Sequence, residues 1–367
     1  MKIVNVEPFI LNVPLKRPIR DGTPYLDQVT YWGVPGCFIQ TDDGITGTGF
    51  TGTQGGEQLI LAVIRDQYSE MLIGQDPLNT KLLWEKLHWS PLNWIGRAGV
   101  VSMAHAAVDI ALWDIAAQAA GLPLCRLLGV HKPDGVPLYN TNAGWLNWTV
   151  DELLHDMAGL LEEGWSRLKM KVGNEDPRAD IRRVRQVRRD LGTEFELMVD
   201  ANQAWDVARA TQFAHGIEDL DVTWFEEPCH PDDVWAHRLL AERIKIPLAL
   251  GEVLYSKYAF RDYIVADAVH YVQVDVTRVS GVTEWLDVAS LAAAFNRPVV
   301  PHHGDFGQVQ QHLVAATPNA PMLEYIPWLL DVFEEPAINR GGRLIISDTP
   351  GASTKLDAAA IKRYRVA

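Results

Sequence analysis

Cysteine is scarce in this chain: three residues in 367, Cys37, Cys125 and Cys229, widely separated and odd in number. No C-x-x-C or other metal-like spacing occurs, which argues against a disulfide scaffold or a cysteine-ligated metal and points to a reducing cytoplasm. Positive charge is also short. Lysine and arginine total 33 against 47 aspartates and glutamates, a formal net charge of −14, which argues against non-specific nucleic-acid binding. An anionic substrate would need positive charge placed locally. No Gly-rich dinucleotide turn is present; VGNEDP, from Val172, is not G-x-G-x-x-G. Low-complexity segments are absent, and no apolar run is expected to span a membrane. The N-terminal MKIVNVEPFIL alternates like a strand and lacks a signal-peptide core. A cytoplasmic protein with neither membrane nor nucleic-acid partners is expected. What the chain does have is 47% hydrophobic content, enough for a large core in two domains or one elaborated domain.

The first third reads as mixed. KIVNVEPFILNV, GCFIQTDD and ITGTGFTG are β-rich, with DDG as a hairpin turn between the last two. Helical patterns follow near 56–73 and 79–88, and in VSMAHAAVDIALWDIAAQAAG, which Gly121 and Pro123 stop. HKPDGVP, from His131, marks a boundary. Beyond it, eight apolar strand-like runs alternate with amphipathic stretches: VPLYNTN, SRLKMKVG, FELMVDAN, VTWFEEP, IPLALGE, HYVQVDV, RPVVPHH and PMLEYIP. Their polar ends, Asn142, Lys171, Asp200, Glu226, Glu252, Asp275, His302 and Glu324, recur every 22–29 residues, which suits a strand, a helix and two short loops. Eight such units predict a (β/α) barrel; the alternative is a doubly wound open sheet.

Barrel chemistry sits at the C-terminal ends of the strands. Three consecutive strands end in Asp200, Glu226 and Glu252. One carboxylate at a strand end is usually a helix cap or a solvated group, but three converging without a cation would repel one another. A hard divalent ion removes that conflict, and oxygen ligands suit Mg²⁺ better than zinc. Glu227 directly follows Glu226 and is expected on the opposite face. Asn202 either supports this shell or the substrate, or is an ordinary loop residue. Asp275 and His302 end the next two strands, and a carboxylate can fix an imidazole tautomer and raise its basicity; a structural ion pair is the alternative. His303 is expected to face away. His88, His105 and His312 fall in helical patterns and read as surface or packing residues. Lys169 and Lys171 lie two apart in one strand and so share a face. Beside a carboxylate-bound metal, one can hold a substrate carboxylate while the other, its pKa lowered, acts as a base.

LKMKVG, MVDANQAW, WFEEP, LALGE and the Asp275 and His302 strand ends, together with SMAHAAVDIALWDIAAQAAGLPLCRLLG, resemble the mandelate racemase/muconate lactonizing enzyme family of the enolase superfamily, in its mandelate racemase-like branch. The resemblance covers essentially the whole chain. It implies a modified TIM barrel, (β/α)7β, over residues 131–324, under an α+β capping domain from residues 1–130 completed by 325–367. It implies Asp200, Glu226 and Glu252 as ligands of Mg²⁺, Lys171 as base, Lys169 as its electrophilic neighbour, Asp275–His302 as a dyad, and Glu324 as the acid of the last strand. Capping loops carrying Arg20, Tyr25 and Thr51 would select the substrate. Arg278 stands where the family often has lysine.

Two bases on opposite faces of a carbon acid permit racemisation or, if a β-hydroxyl leaves, dehydration through a metal-stabilised enediolate to a 2-keto-3-deoxy acid. The polar loops RDGTPYLD and TGTQGGE favour a polyhydroxylated partner, although Trp145, Trp148 and Trp205 could also face the pocket. A sugar-acid (aldonate or aldarate) dehydratase acting on a small carboxylate is therefore expected. A racemase or epimerase, a Schiff-base aldolase and a non-catalytic ligand-binding barrel are the alternatives. Homo-oligomerisation is expected from the size class of barrel enzymes.

Overall fold

Alternating apolar residues near the N-terminus build a three-stranded antiparallel sheet: β1 (Ile3–Ile19), β2 (Val29–Thr41) and β3 (Thr46–Phe50), in that spatial order. The computed structural model describes residues 1–24 and 28–367. β1 contains three prolines, which lack the N–H that a second neighbouring strand would need; beyond β2 it bonds to short segments, Gly74–Gln75 at Ile3 and the chain's end, Val366–Ala367, at Ile10. The sheet packs on the helix Val100–Ala119 so closely that a side chain at Gly49 would lie 1.9 Å from the Ala107 carbonyl. That helix is long and apolar enough to cross a membrane, but 78% of its apolar window is buried inside the protein.

The second unit is the expected modified barrel. Strands β4 (Val136–Asn140), β5 (Arg167–Lys171), β6 (Glu196–Asp200), β7 (Val222–Glu226), β8 (Leu248–Leu250), β9 (Tyr271–Val272) and β10 (Leu323–Tyr325) run parallel in the order β10-β4-β5-β6-β7-β8-β9. Helices fill the connections, several of them started by side-chain caps: Thr149 with Glu152 as a capping box, then Asp176, Asp206, Asp233 and Ser256. The seventh expected strand, RPVVPHH, shrinks to one bridge between Val272 and Val299, because Pro298 and Pro301 bracket it without N–H donors. A short β11 (Arg343–Leu344), not anticipated, pairs antiparallel with β4.

Strand alternation sorts the barrel's side chains. Leu168, Met170, Leu197, Val199 and Phe225 face the helices in the main core. Tyr139, Met198, Trp224, Ala249 and Val300 fill the barrel's interior. Lys169 is the register partner of Met198, and Lys171 of Asp200, so both lysines face the interior in successive layers.

Candidate active site

The upper interior layer is set by register. Lys171 pairs with Asp200 across β5 and β6, and Asp200 with Glu226 across β6 and β7, placing three charged groups on neighbouring strand ends. Glu252 joins them after Gly251, at φ 147°, where a side chain's Cβ would lie 2.8 Å from the Gln273 backbone. Oxygens of Asp200, Glu226 and Glu252 then lie within 4.8 Å of one another.

Lysines and hydrogen bonds hold this cluster. Lys169 Nζ is 2.6 Å from Glu226 Oε1, 2.7 Å from Glu324 Oε1 and 3.5 Å from Asp200 Oδ2. Lys171 Nζ is 2.5 Å from Asp200 Oδ2. The Trp224 indole donates to Glu226 Oε2 at 2.9 Å, and the Asn202 amide N–H donates to Asp200 Oδ1 at 2.9 Å. Burial and then the Asp200 charge push Glu226 up to about 8. Burial pulls Lys171 down, but Asp200, Glu252 and Asp21 together outweigh it and hold the ammonium above its usual value. That reverses the lowered pKa expected of it from the sequence, because the partner at contact distance is a carboxylate rather than Lys169.

Across the mouth, Asp275 Oδ2 lies 2.6 Å from His302 Nδ1 and Oδ1 accepts from the Thr277 amide and hydroxyl, so the carboxylate is fully used. His302 Nε2 is left facing Glu252 Oε2 at 3.6 Å. Burial lowers the imidazole's pKa, but Glu252 and Asp275 raise it overall to about 9. Glu324 accepts from the Thr141 hydroxyl and the His303 amide and binds Lys169, beneath the cavity rather than in it.

Lys171, Glu252, His302, Asn202 and Arg278 line one cavity of about 440 Å³, with Asp21, Thr23, Thr53 and Gln54 from the capping loops and Trp32, Trp145 and Trp328 as walls. A larger groove, about 1000 Å³, runs between β1 and the helix Val150–Glu162, but none of the converging acids opens into it. The oxygen-only donor set fits a hard divalent cation, and Glu252 Oε2 and Asn202 Oδ1 are buried without a hydrogen-bond partner.

Several expectations shift. Lys169 is fully buried and is not among the cavity's lining residues, so a direct hold on substrate is not its observed position. Thr51 is buried and donates to the Thr277 carbonyl at 2.9 Å; Arg20 is exposed at the edge, and neither lines the cavity. Tyr25 lies outside the described residues. Trp148 stacks under Arg17, and Trp205 donates to the Asn174 carbonyl, leaving Trp145 as the one of the three on the cavity. His105 and His312 are buried packing residues, each pushed down to about 3 by burial.

Two residues were misplaced by strand periodicity. Glu227 has φ 39°, so it leaves the alternation and turns back beside the acids, with Oε2 accepting from Gln203 at 2.9 Å. Burial, Glu252 and Asp200 push it well above the carboxylate range. His303 lines the cavity because the ladder ends before Pro301; its Nδ1 lies 3.2 Å from Glu324 Oε2. The double acid in WFEEP and the double histidine in PHHG were the available signals.

Residues 34–129 match the family model described as mandelate racemase / muconate lactonizing enzyme, N-terminal domain, and residues 152–360 match enolase C-terminal domain-like. L-talarate/galactarate dehydratase of Salmonella typhimurium is 37% identical over 352 residues, 95% of this chain and 87% of that one. A solved structure of that enzyme with Mg and L-lyxarohydroxamate superposes with a TM-score of 0.93 at 36% identity, covering 100% of this chain and 93% of the other. Arabinonate dehydratase of Saccharolobus solfataricus is 28% identical, covering 89% of each chain.

Proposed function

The chain belongs to the mandelate racemase/muconate lactonizing enzyme family, and from that premise we propose that it is a lyase, a magnesium-dependent dehydratase of sugar acids. One observation carries the reading. Three carboxylates, Asp200, Glu226 and Glu252, converge at the floor of a cavity that Lys171, at the end of β5, and His302, in the segment after the Val272–Val299 bridge, both line. Those three carboxylates would hold Mg²⁺, the ion present in the relative's solved complex. Bound Mg²⁺ supplies positive charge against the charge that builds on the substrate carboxylate when the α-proton leaves.

The remaining chemistry belongs to the chain. Lys171 and His302 stand on opposite sides of the substrate's α-carbon, and the configuration there selects which one takes the proton. The β C–O bond then breaks, a proton from the acid of the pair goes to the departing hydroxyl, and water leaves. The enol tautomerises to a 2-keto-3-deoxy acid, with no change in redox state. Asp275 orients His302 and stabilises its charged form. Lys169 and Glu324 form a buried brace that keeps Glu226 in place, a positioning role. Asn202 stands beside the substrate; the walls formed by Trp32, Trp145 and Trp328 and the polar groups of Thr23, Thr53 and Gln54 suit a polyhydroxylated chain.

The division into 131–324 and a cap of 1–130 with 325–367 belongs to the same reading, as does self-association, which the exposed Trp89, Trp94 and Ile95 support and which sedimentation measures. The central test is a panel of aldonic and aldaric acids with Mg²⁺, read for 2-keto acid and for α-proton exchange in D₂O. Keto acid from at least one acid is expected. Exchange without keto acid would instead make the protein a racemase or epimerase.

A further inference from the structure

Arg278 lines the catalytic cavity, yet its guanidinium has no carboxylate partner among the described residues. The one hydrogen bond its side chain makes among the described residues is a weak one, from an η nitrogen to Met103 Sδ at 3.8 Å, and its Nε–H is buried without an acceptor. Asp275, three residues earlier in the chain, makes no ion pair with it and spends its oxygens on His302 and Thr277. The backbone of Arg278 is fixed on both sides: its N–H donates to the Asp275 carbonyl at 3.0 Å, and its own carbonyl accepts from Ser102 of the capping helix. A buried donor without a partner is costly, and a guanidinium is a fork matched to a carboxylate.

Its place in the barrel adds the second half of the argument. Arg278 follows β9, whereas Lys171 ends β5, with β6, β7 and β8 between them. The positive charge of the acid-rich floor and that of Arg278 therefore enter the cavity from different sides. We infer that Arg278 binds a second, distal carboxylate of the substrate, so that the physiological substrate is a diacid, an aldarate, and not a monoacid aldonate. The inference rests on the dehydratase reading for the substrate's family and names which branch of it the cavity takes.

The test uses Mg-loaded full-length protein and a panel of epimeric hexarates with the matching hexonates, for example galactarate and galactonate, which differ only at one terminal carbon. The best hexarate should exceed its hexonate in kcat/KM by at least about 100-fold, as expected where a site's polar group is left unpaired by the smaller analogue. In Arg278→Met that ratio should collapse to within about tenfold, chiefly through KM, with the melting temperature unchanged, and Arg278→Lys should restore part of it as a point charge without the fork. A wild-type ratio near one, or a ratio that Arg278→Met leaves intact, overturns the inference. Calorimetric binding of the same pairs in a Lys171→Ala background separates the two readings. Equal binding of diacid and monoacid while keto acid still forms removes the Arg278 inference alone. Arg278-dependent binding of a diacid with no keto acid from any sugar acid removes the dehydratase reading and leaves diacid recognition standing.

Discussion

Gly22 offers a direct test of how the cap shapes the cavity. It sits in the loop that carries Asp21 and Thr23 into the cavity, and a Cβ there would lie 2.2 Å from the Ala201 carbonyl oxygen and 2.8 Å from that of Val172. Both obstacles are backbone atoms just beyond β6 and β5, so no side chain can swing aside. Relaxing the contact toward ordinary van der Waals distance requires the loop to lift by roughly 1 Å. A displacement of that size at groups that position substrate costs on the order of 10²-fold in rate. Gly22→Ala should therefore lower kcat/KM for the best sugar acid about 100-fold, while the melting temperature moves little, because the barrel and the β1–β3 sheet are untouched. Steady-state kinetics and a thermal melt measure both. Retention of kcat/KM within about threefold would mean that the close approach of loop and barrel does not set the reacting geometry.

Lys171→Ala and His302→Asn should each abolish keto-acid formation, and α-proton exchange in D₂O should survive in only one of them for a given substrate epimer; full turnover in either variant would remove that residue from the chemistry. Glu252→Gln should weaken Mg²⁺ binding by tenfold or more on the order expected for loss of a charged oxygen ligand, read by calorimetry, and an unchanged affinity would exclude it from the metal shell. Asp109, buried in the capping helix and bonded to Thr283, is pushed up to about 7 by burial. Its folded value lies above the ordinary 3.8, so the stability it contributes is complete below about 4 and is lost as pH rises through about 7. Asp109→Asn should flatten that decline and make the variant the more stable of the two at pH 8 but not at pH 4, by denaturant titration; parallel curves would show that burial does not govern this carboxyl.

The strand ends were legible because their chemistry and spacing reinforce one another. Lys169 and Lys171, two apart, share a face in any strand, and their register with Met198 and Asp200 needs only a parallel sheet. What was not legible begins one or two residues past the strand ends. Glu227 at φ 39° and Asn202 at φ 41° occupy a left-handed conformation that strand periodicity does not encode, so Glu227 was expected on the wrong face. His303 was misplaced for a related reason: Pro298 and Pro301 reduce its strand to a single bridge, and alternation has nothing to act on. Thr51 looked like a substrate contact because its loop is polar, but its hydroxyl holds the cap to the barrel through Thr277. The depth of a residue beneath the cavity is likewise invisible in a motif. K-x-K presents Lys169 and Lys171 as equals, while the structure buries one in a carboxylate brace and opens the other to the cavity.

That inequality explains why so acidic a barrel mouth needs two lysines. Burial and neighbouring like charges raise carboxyl pKa values, as at Glu226 beside Asp200 and Glu227 beside Glu252, and an acid that protonates no longer binds a cation well. Lys169 counters this from below. Its ammonium, 2.6 Å from Glu226 and 2.7 Å from Glu324, favours their ionised forms without occupying the face that points into the cavity. Lys171, on the layer above, then remains available for proton transfer. Replacing Lys169 by a neutral side chain would thus act first on the acids, and Lys171 would be affected only through them. The order of the two lysines along β5, the deeper one first, puts the brace in the barrel interior and leaves the mouth to the lysine that the proposed mechanism uses for proton transfer.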